Sequence, residues 1–390
     1  MGQLRRIGFR FLFVTAVLII WPFPFGAIPK TDKIAELLSK PWEWLVAWLA
    51  NTIGISAPFV DTGSGDTAWA WLQIASLLAV AALAAIVWSV LDRRRTSYPR
   101  LASGLAIAVR YWLAYAMLTY GFSKILPIQF AFPRAGRLDE HLGAMSPMGL
   151  LWTFMGFSRP YTVFAGLLET LGGVLLLWRR TTVIGALVVA AVMTNVVLLN
   201  FCYDVPVKLY SLTLLVFALG LAVPHARRVL AALLAPAGDR GSSKLELARR
   251  AGKAALIVAM GFALYSELGA IAALPSLRTG ALDGIWQIDH LVVAGVERPA
   301  LASDPTRWNK LLLAGPSCSL VPFVGDSKDG KLDETAHQLA FDHETWSYTL
   351  DGADRLVLDG PNVHVTLHRQ PPGLLVTRGF HWVQEDPFNK

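Results

Sequence analysis

Charged side chains and cysteines are scarce in this sequence. Only 16% of its 390 residues are charged, whereas soluble domains carry about 25%, and 54% are hydrophobic. This composition excludes an ordinary soluble domain and favours a membrane protein. The sequence also lacks a glycine-rich phosphate loop, a haem attachment motif and a nucleophile elbow, which argues against a nucleotide-dependent enzyme.

The charge balance changes near residue 280. Residues 1–279 have a net charge of +13, and residues 280–390 have a net charge of −6. The basic residues before position 280 form short clusters beside apolar runs rather than one basic face, so they indicate membrane topology. We therefore expect no nucleic acid partner.

Seven apolar stretches approach the ~20 residues that a helix needs to cross a bilayer. They are 9–25, 68–91, 101–126, 161–178, 181–201, 209–223 and 254–274. Sixteen basic residues lie in the loops on one side of these spans and eight on the other, which predicts a cytoplasmic N-terminus and an extracytoplasmic acidic C-terminal region. The first stretch also resembles a signal peptide, but Trp21-Pro22-Phe23-Pro24 stands where a small-residue cleavage site would be, which favours an uncleaved anchor.

Short alternating runs replace the long apolar stretches after Gly284. About eight strands are predicted, at 285–293, 310–314, 319–324, 337–341, 346–350, 355–358, 363–368 and 374–377. Asp-Gly and Pro-Gly turns separate several of them, which is typical of a small up-and-down barrel or sandwich. Gly284-Ile285-Trp286 resembles the glycine-x-tryptophan that opens lipocalin-like barrels.

The predicted fold class is therefore an all-α membrane helix bundle followed by a small all-β domain. Residues 1–100 would hold two transmembrane helices and an extracytoplasmic interfacial helix around Trp44 and Trp48. Residues 101–228 would form a four-span bundle, and 229–279 a cytoplasmic linker with the seventh span. Residues 280–390 would form the extracytoplasmic β domain.

Ionisable side chains inside the predicted spans mark candidate functional sites, because burying charge in a membrane is costly. Arg110 and Glu169 lie nine residues from the cytoplasmic ends of neighbouring antiparallel spans, and this matched depth predicts an ion pair that is either structural or ligand-facing. Lys124 should point to the same side of its helix as Arg110. Near the outer rim it would meet Asp204 and Lys208.

A Lys124–Asp204 pair at the rim has two interpretations. It is either an interfacial anchor or the edge of an outward-facing polar pocket for a lipophilic molecule. The candidate ligand-binding residues are Arg110, Lys124, Glu169, Asn195, Asn200, Tyr203, Asp204 and Lys208.

Histidine and cysteine patterns favour structural roles. His364 and His368 share one face of a predicted strand, but they alternate with apolar residues and should face water, so no metal site is predicted. Cys202 and Cys318 both fall on the predicted oxidising side of the membrane, where a disulfide between them is one alternative. Two cysteines in apolar surroundings are more often unpaired.

Three motifs within about 101–228 resemble a known membrane family. They are Arg110-Tyr111, Tyr120-Gly121-Phe122-Ser123-Lys124 and Glu169-Thr170-Leu171-Gly172-Gly173. In order and spacing they resemble the arginine, glycine-x-x-lysine and glutamate-x-x-glycine-glycine pattern of DoxX-type proteins. The extra leading spans and the closing stretch from Arg378-Gly379-Phe380-His381 to Asn389 resemble a longer form of that family.

The DoxX resemblance implies a protein of the bacterial inner membrane with a periplasmic C-terminal domain. It marks Arg110, Lys124 and Glu169 as characteristic positions and implies a membrane component of a quinone-linked redox system, such as an oxidoreductase subunit. The expected partners are membrane lipid, a lipophilic small molecule and an extracytoplasmic redox protein, and a quinone is the candidate cofactor. The alternative is a non-enzymatic scaffold or a carrier of small solutes or lipids.

Overall fold

The computed structural model describes residues 3–234 and 280–389 apart from a few positions. Those gaps are 29, 96, 127, 134–136, 138–139, 302, 305–306 and 343. Between 235 and 279 it describes only residues 248, 251, 252, 254, 255, 258, 262 and 266. The chain divides into two compact units, Met1–Ala235 together with Gly373–Lys390, and Pro236–Pro372. The chain thus leaves the first unit, forms the second and returns to the first.

Helices build the first unit. They are α1 (Gln3–Ile20), α2 (Asp32–Ile53), α3 (Ala68–Leu91), α4 (Pro99–Ile125), α5 (Pro147–Phe157), α6 (Arg159–Leu176), α7 (Thr182–Cys202), α8 (Lys208–Ala222), α9 (Ala226–Leu234) and α10 (Leu374–Thr377). Six of the seven predicted spans coincide with helices of this unit. The seventh, 254–274, lies largely outside the described residues.

Among the described residues, four helices are long and apolar enough to cross a membrane. They are Ala68–Leu91, Pro99–Ile125, Thr182–Cys202 and Lys208–Ala231, the last of which continues α8 through a 3₁₀ turn. Large apolar side chains on their outer faces, such as Leu83 and Val216, are more than half exposed, as expected for helices that face lipid. The chain is therefore a membrane protein, whereas the seven-span count and the orientation stay predictions.

Glycines bring α4 and α6 into close contact. A Cβ atom on Gly121 would lie 2.8 Å from the carbonyl oxygen of Gly166, and one on Gly166 would lie 2.6 Å from the carbonyl oxygen of Gly121. Further along the same interface, a Cβ on Gly173 would lie 3.1 Å from the carbonyl oxygen of Ala114. Small residues allow such close approach in membranes. These contacts fix the axial register of the two helices and place Lys124 beside Gly166.

The second unit contains a closed antiparallel β-barrel. Its strands are β1 (Gly284–Val293), β2 (Val296–Glu297), β3 (Trp308–Ala314), β4 (Ser317–Pro322), β5 (Lys328–Asp333), β6 (Gln338–Phe341), β7 (Glu344–Leu350), β8 (Arg355–Asp359) and β9 (Val363–Arg369). Neighbours from β3 onward pair in chain order, β2 pairs with the end of β1, and β1 closes the barrel by pairing with both β3 and β9. Trp286, for example, lies opposite Leu311 on β3 and Arg369 on β9.

Side chains fill the barrel interior. Trp286, Leu320, Phe341 and Trp346 are at most 1% exposed, in keeping with an eight-stranded barrel whose interior is just wide enough to be packed. The prediction that the histidines of β9 face outward is confirmed. His364 and His368 are exposed, and their Nδ1 atoms lie 2.6 Å and 2.7 Å from carboxylate oxygens of Asp359 and Asp289.

Two strand predictions were wrong. Leu374–Thr377 is the short helix α10 and groups with the helical unit rather than with the barrel. Strand β5 was missed because Asp329-Gly330 predicted a turn. Gly330 lies within the strand instead, where an added Cβ would come within 2.5 Å of the Phe341 ring, so the glycine makes room for an interior side chain.

Candidate functional site

A cavity of about 480 Å³ lies within the helical unit, between α4, α5, α6, α7 and α8. Most of its wall is apolar or aromatic and includes Met117, Phe130, Trp152, Phe164, Leu168 and Leu214. Its polar lining residues are Tyr120, Lys124, Gln129, Tyr161, Glu169, Asn195, Asn200, Tyr210 and Ser211. An apolar cavity with a few convergent polar groups is typical of a small-molecule site.

A buried ion pair contributes the charges of this cavity. The Nζ atom of Lys124 donates a hydrogen bond to Oε2 of Glu169 at 2.8 Å, and the two side chains are only 7% and 3% exposed. The ammonium group also lies 5.4 Å from the centre of the Tyr120 ring. Within the described part of the chain, the pair makes no other hydrogen bond, which leaves two ammonium hydrogens and Oε1 of Glu169 able to bind a polar group in the cavity.

Two tyrosines stand beside the ion pair. The rings of Tyr120 and Tyr210 are 5.8 Å apart, and the Tyr210 ring also contacts Trp112 edge to face at 6.0 Å. Both tyrosines are half-buried, yet among the described residues neither hydroxyl has a hydrogen-bond partner. Buried tyrosine hydroxyls usually find a partner, so both are available to a ligand.

Two asparagines of α7 complete the polar lining. Asn195 lines the cavity without a hydrogen-bond partner among the described residues. Asn200 is buried, and its Nδ2 atom donates a long hydrogen bond of 3.5 Å to the carbonyl oxygen of Val207. The structure thus brings Lys124, Glu169 and both asparagines to one cavity, and their role in binding a ligand stays a prediction.

The predicted ion pair between Arg110 and Glu169 was wrong. Arg110 donates instead to the hydroxyl of Thr182 at 3.4 Å, at the start of α7, and its guanidinium lies over the ring of Tyr111 at 4.6 Å. The glycine contacts set a register in which Arg110 lies level with the connection between α6 and α7. Arg110 is not among the described residues that line the cavity.

The predicted pair between Lys124 and Asp204 was also wrong. Asp204 lies in the turn between α7 and α8, where Lys208 donates to its Oδ1 atom at 3.2 Å. Among the described lining residues of the cavity, Tyr203, Asp204 and Lys208 are absent. Their place in the wall is taken by two valines of the same turn, at positions 205 and 207.

Asp204 is instead the acceptor for a segment far away in the sequence. Nε of Arg378 donates to Oδ2 of Asp204 at 3.1 Å, the backbone N–H of His381 donates to Oδ1 at 2.9 Å, and Nε2 of Gln384 donates to Oδ1 at 2.7 Å. The Nδ1 atom of His381 lies 2.9 Å from Oδ2. Burial alone would raise the pKa of Asp204, but the His381 hydrogen bonds and the nearby Lys208 charge hold that pKa below its ordinary value.

A second buried acid, Asp66, stabilises the start of α8. Its carboxylate accepts the backbone N–H groups of Lys208 and Leu209 at 2.9 Å and 3.0 Å, and lies 3.6 Å from the Lys208 ammonium. These are amide groups that a helix N-terminus leaves without an intrahelical partner. Sequence reasoning missed Asp66, because it precedes a different span and its partners lie more than 140 residues away.

Residues 378–389, here called the C-terminal tail, bind several parts of the helical unit. Phe380 stacks on Phe201 at 5.9 Å, and the Trp382 carbonyl accepts a hydrogen bond from the Trp71 indole at 2.8 Å. Oε1 of Glu385 accepts the N–H group of Ala68 in the first turn of α3 at 2.9 Å. The tail thus completes the end of the helical unit at which α8 begins.

Both cysteines are free thiols, which contradicts the disulfide alternative. Cys202 is exposed at the end of α7, and Cys318 is buried in the barrel core. Burial raises the pKa of the Cys318 thiol to about 12.

Comparisons with known proteins give one informative match. No family model matches the chain, and no solved structure matches it. A curated relative, the uncharacterized protein YwoB of Bacillus subtilis (strain 168), is 36% identical over 112 residues, which are 28% of this chain and 70% of the relative. The resemblance to DoxX-type proteins stays a prediction. By its similarity to most of the length of that relative, the chain belongs to the family of the uncharacterized protein YwoB.

Proposed function

We propose that the helical unit binds a lipophilic molecule with an uncharged polar head, and that a quinone is the ligand class that fits best. The observation that carries this proposal is the Lys124–Glu169 ion pair, which lines an apolar cavity and has unused hydrogen-bonding capacity. On this proposal the protein is a membrane component of a quinone-linked redox system in a bacterial inner membrane.

The cost of the ion pair supports a functional role. Two charges buried in a membrane bundle are often no more stabilising than two apolar side chains of the same size. A pair that only held helices together would gain most by satisfying every polar atom, because partly satisfied networks are unfavourable. Among the residues that the structure describes, Lys124 and Glu169 instead keep free donors and a free acceptor at the cavity.

The chemistry of the lining favours a quinone over a charged lipid. The pair has no net charge, so it suits a neutral head better than a phosphate. A ring carbonyl can accept from the Lys124 ammonium or from the hydroxyls of Tyr120 and Tyr210, and a quinol hydroxyl can donate to Glu169. Trp152 and Phe130, whose rings contact at 5.1 Å, supply flat walls for a planar ring.

A binding measurement tests this function directly. Decylubiquinone is titrated into the detergent-solubilised full chain, with Lys124→Met and Glu169→Gln as site variants. Arg110→Met is the matched control, because it removes a charge from the same helix outside the described cavity lining. We expect the site variants to lose at least ~10-fold in affinity, or ~1.4 kcal/mol, and the control to bind as the wild type does.

Mass spectrometry of molecules that stay bound after gentle purification distinguishes the alternatives. A bound quinone would support the proposal. Absence of decylubiquinone binding in the wild type, or equal binding in all variants, would contradict it. A co-purifying phospholipid that Lys124→Met loses would favour the carrier alternative, and a protein that retains neither molecule would favour the scaffold.

A further inference from the structure

We propose that the C-terminal tail positions the outer wall of the cavity and that Asp204 is the positioning residue through which it acts. Docking of the tail and binding in the cavity are then coupled. The coupling to a ligand rests on the proposed function, whereas the positioning of the wall does not.

The wall in question is the turn between α7 and α8. Val205 is 1% exposed and lines the cavity together with Val207. The turn is short and internally bonded, since Val205 N–H donates to the Asn200 carbonyl and Val207 N–H donates to the Val205 carbonyl, both at 2.9 Å. The positions of both valine side chains therefore depend on the backbone conformation of residues 203–207.

That conformation is strained at Asp204. Its φ angle is +51°, in the left-handed region that a residue with a side chain adopts only at a cost. Three tail residues, Arg378, His381 and Gln384, bind its carboxylate, whereas Lys208 is its partner from the helical segment itself. Release of the tail would leave Lys208 as the remaining described partner of the Asp204 carboxylate and would remove the contacts that hold this conformation, so the turn could then relax.

Gln384 connects the tail to the turn at two points. Its Nε2 atom also donates to the backbone carbonyl of Asp204 at 3.1 Å, so it binds the main chain of the turn. Its backbone N–H donates to the carbonyl of Asp66 at 3.0 Å, and the neighbouring Gly65 N–H donates to the carbonyl of Pro206 at 2.7 Å. The turn is thus held directly by Gln384 and indirectly through residues 65–66.

A simple anchor predicts a different arrangement. A tail that only fastened itself to the bundle could bind any exposed side chains. This tail places three hydrogen-bonding side chains on the strained residue of a turn whose next residues form a cavity wall. Its contacts therefore control a conformation as well as an attachment.

Hydrogen exchange of the full chain in detergent tests the positioning without any ligand. Arg378→Gln and Gln384→Ala weaken the tail contacts, and Arg355→Gln is the matched control because Arg355 is an exposed residue of the barrel. We expect the two tail variants to exchange faster by about 10-fold both in residues 378–388 and in residues 203–207. Faster exchange in the tail alone, with an unchanged turn, would overturn the proposal.

Decylubiquinone binding tests the coupling in the same variants. Linkage requires that the factor by which tail docking raises ligand affinity equals the factor by which ligand favours the docked tail. We expect a loss of affinity of about 10-fold in both tail variants, within the usual range of coupling between sites. In the wild type, bound ligand should slow exchange at His381 and Gln384.

The two proposals fail in distinguishable ways. If the wild type does not bind decylubiquinone, the proposed function fails, and the exchange of residues 203–207 still decides the positioning. If the wild type binds it and the tail variants bind it equally well despite a released tail, the coupling fails while the binding site stands.

Discussion

Lys124 and Glu169 form an ion pair across α4 and α6, beside two of the glycines through which these helices contact each other. The carbonyl oxygens of Gly121 and Gly166 lie in this crossing, and the Cβ atom of Lys124 lies 2.9 Å from the position of a Cβ added to Gly166. Close backbone contact keeps water from the pair on that side, while the cavity borders it on the other. The pair is therefore a contact between two helices that also borders the cavity.

The first prediction concerns the energetics of this pair. Lys124→Met or Glu169→Leu alone should each cost ~3–5 kcal/mol of stability, because each leaves one charge buried without its partner. The double variant should recover much of that loss. Thermal unfolding in detergent measures the stability of the wild type, both single variants and the double variant, which together form a double-mutant cycle. If the two losses simply added in the double variant, the pairing would be contradicted.

A double-mutant cycle of Arg110 and Glu169 is the control for the cycle of Lys124 and Glu169. Arg110 contacts Thr182 rather than Glu169, so the losses in Arg110→Met and Glu169→Leu should add within ~0.5 kcal/mol. Strong coupling between these two would instead restore the pairing that their sequence positions predicted.

The second prediction separates charge from shape at Lys124. Lys124→Arg keeps a positive charge beside Glu169, so it should destabilise the protein less than Lys124→Met does. The larger planar guanidinium should occupy part of the 480 Å³ cavity and reduce decylubiquinone affinity by at least ~10-fold. Unchanged affinity in Lys124→Arg would show that the ammonium does not contact the ligand.

The third prediction concerns the helix crossing. Gly121→Ala should destabilise the bundle by ~1–3 kcal/mol, because its new Cβ would meet the backbone of α6. Gly104→Ala, on the same helix, has no atom within 4 Å of its new Cβ and should be neutral or slightly stabilising. Comparison of the two melting temperatures measures the effect of the crossing, and equal values would contradict it.

The fourth prediction concerns acid stability. The pKa of Asp204 is held below its ordinary value of 3.8, so its charged form stabilises the fold above that pH, and the contribution is lost as pH falls through the lowered pKa. Lys208, Arg378 and His381 face this carboxylate. The Tm of the wild type should exceed that of Asp204→Asn by a large margin at pH 6. This difference should shrink as the pH falls below ~3.8.

A gap that persisted unchanged into strong acid would contradict the role assigned to the Asp204 charge. Asp359→Asn is the control, since Asp359 is exposed and pairs with the exposed His364, and its Tm gap should be small at every pH.

The fifth prediction concerns the two thiols. A maleimide at pH 7 should label the native protein once, at exposed Cys202, because Cys318 is buried and burial raises its pKa to about 12. A second label should appear only after the protein is unfolded, and no reductant should be needed for it. Failure to label either cysteine until reductant is added would indicate a disulfide.

The sequence was most informative where structure depends on local pattern. Alternation predicted seven barrel strands, such as β9, because side chains of a strand repeat every two residues. Apolar length predicted the helices equally well. Both patterns are formed by residues that are close together in the sequence. Strand β5 was missed because Asp329-Gly330 is also a typical turn sequence.

Pairings across the fold were harder to predict because depth along a span does not fix helix register. Arg110 and Glu169 were matched by counting from helix ends, whereas Gly121 and Gly166 set the actual alignment. The tail partners of Asp204 lie 174 to 180 residues away in sequence. Nothing near Asp204 indicates that Arg378 or Gln384 will reach it.

The return of residues 373–390 to the helical unit also imposes an order on biosynthesis. The ribosome makes the tail after the barrel strands, so the nascent bundle forms before Gln384 is made, when Lys208 is the partner that the described helical segment offers to Asp204. Phe201 and Trp71 likewise lack their aromatic partners until that moment. A chain that stops within the barrel would therefore lack the contacts that Arg378, His381 and Gln384 make with Asp204, and Phe201 and Trp71 would lack the rings that cover them.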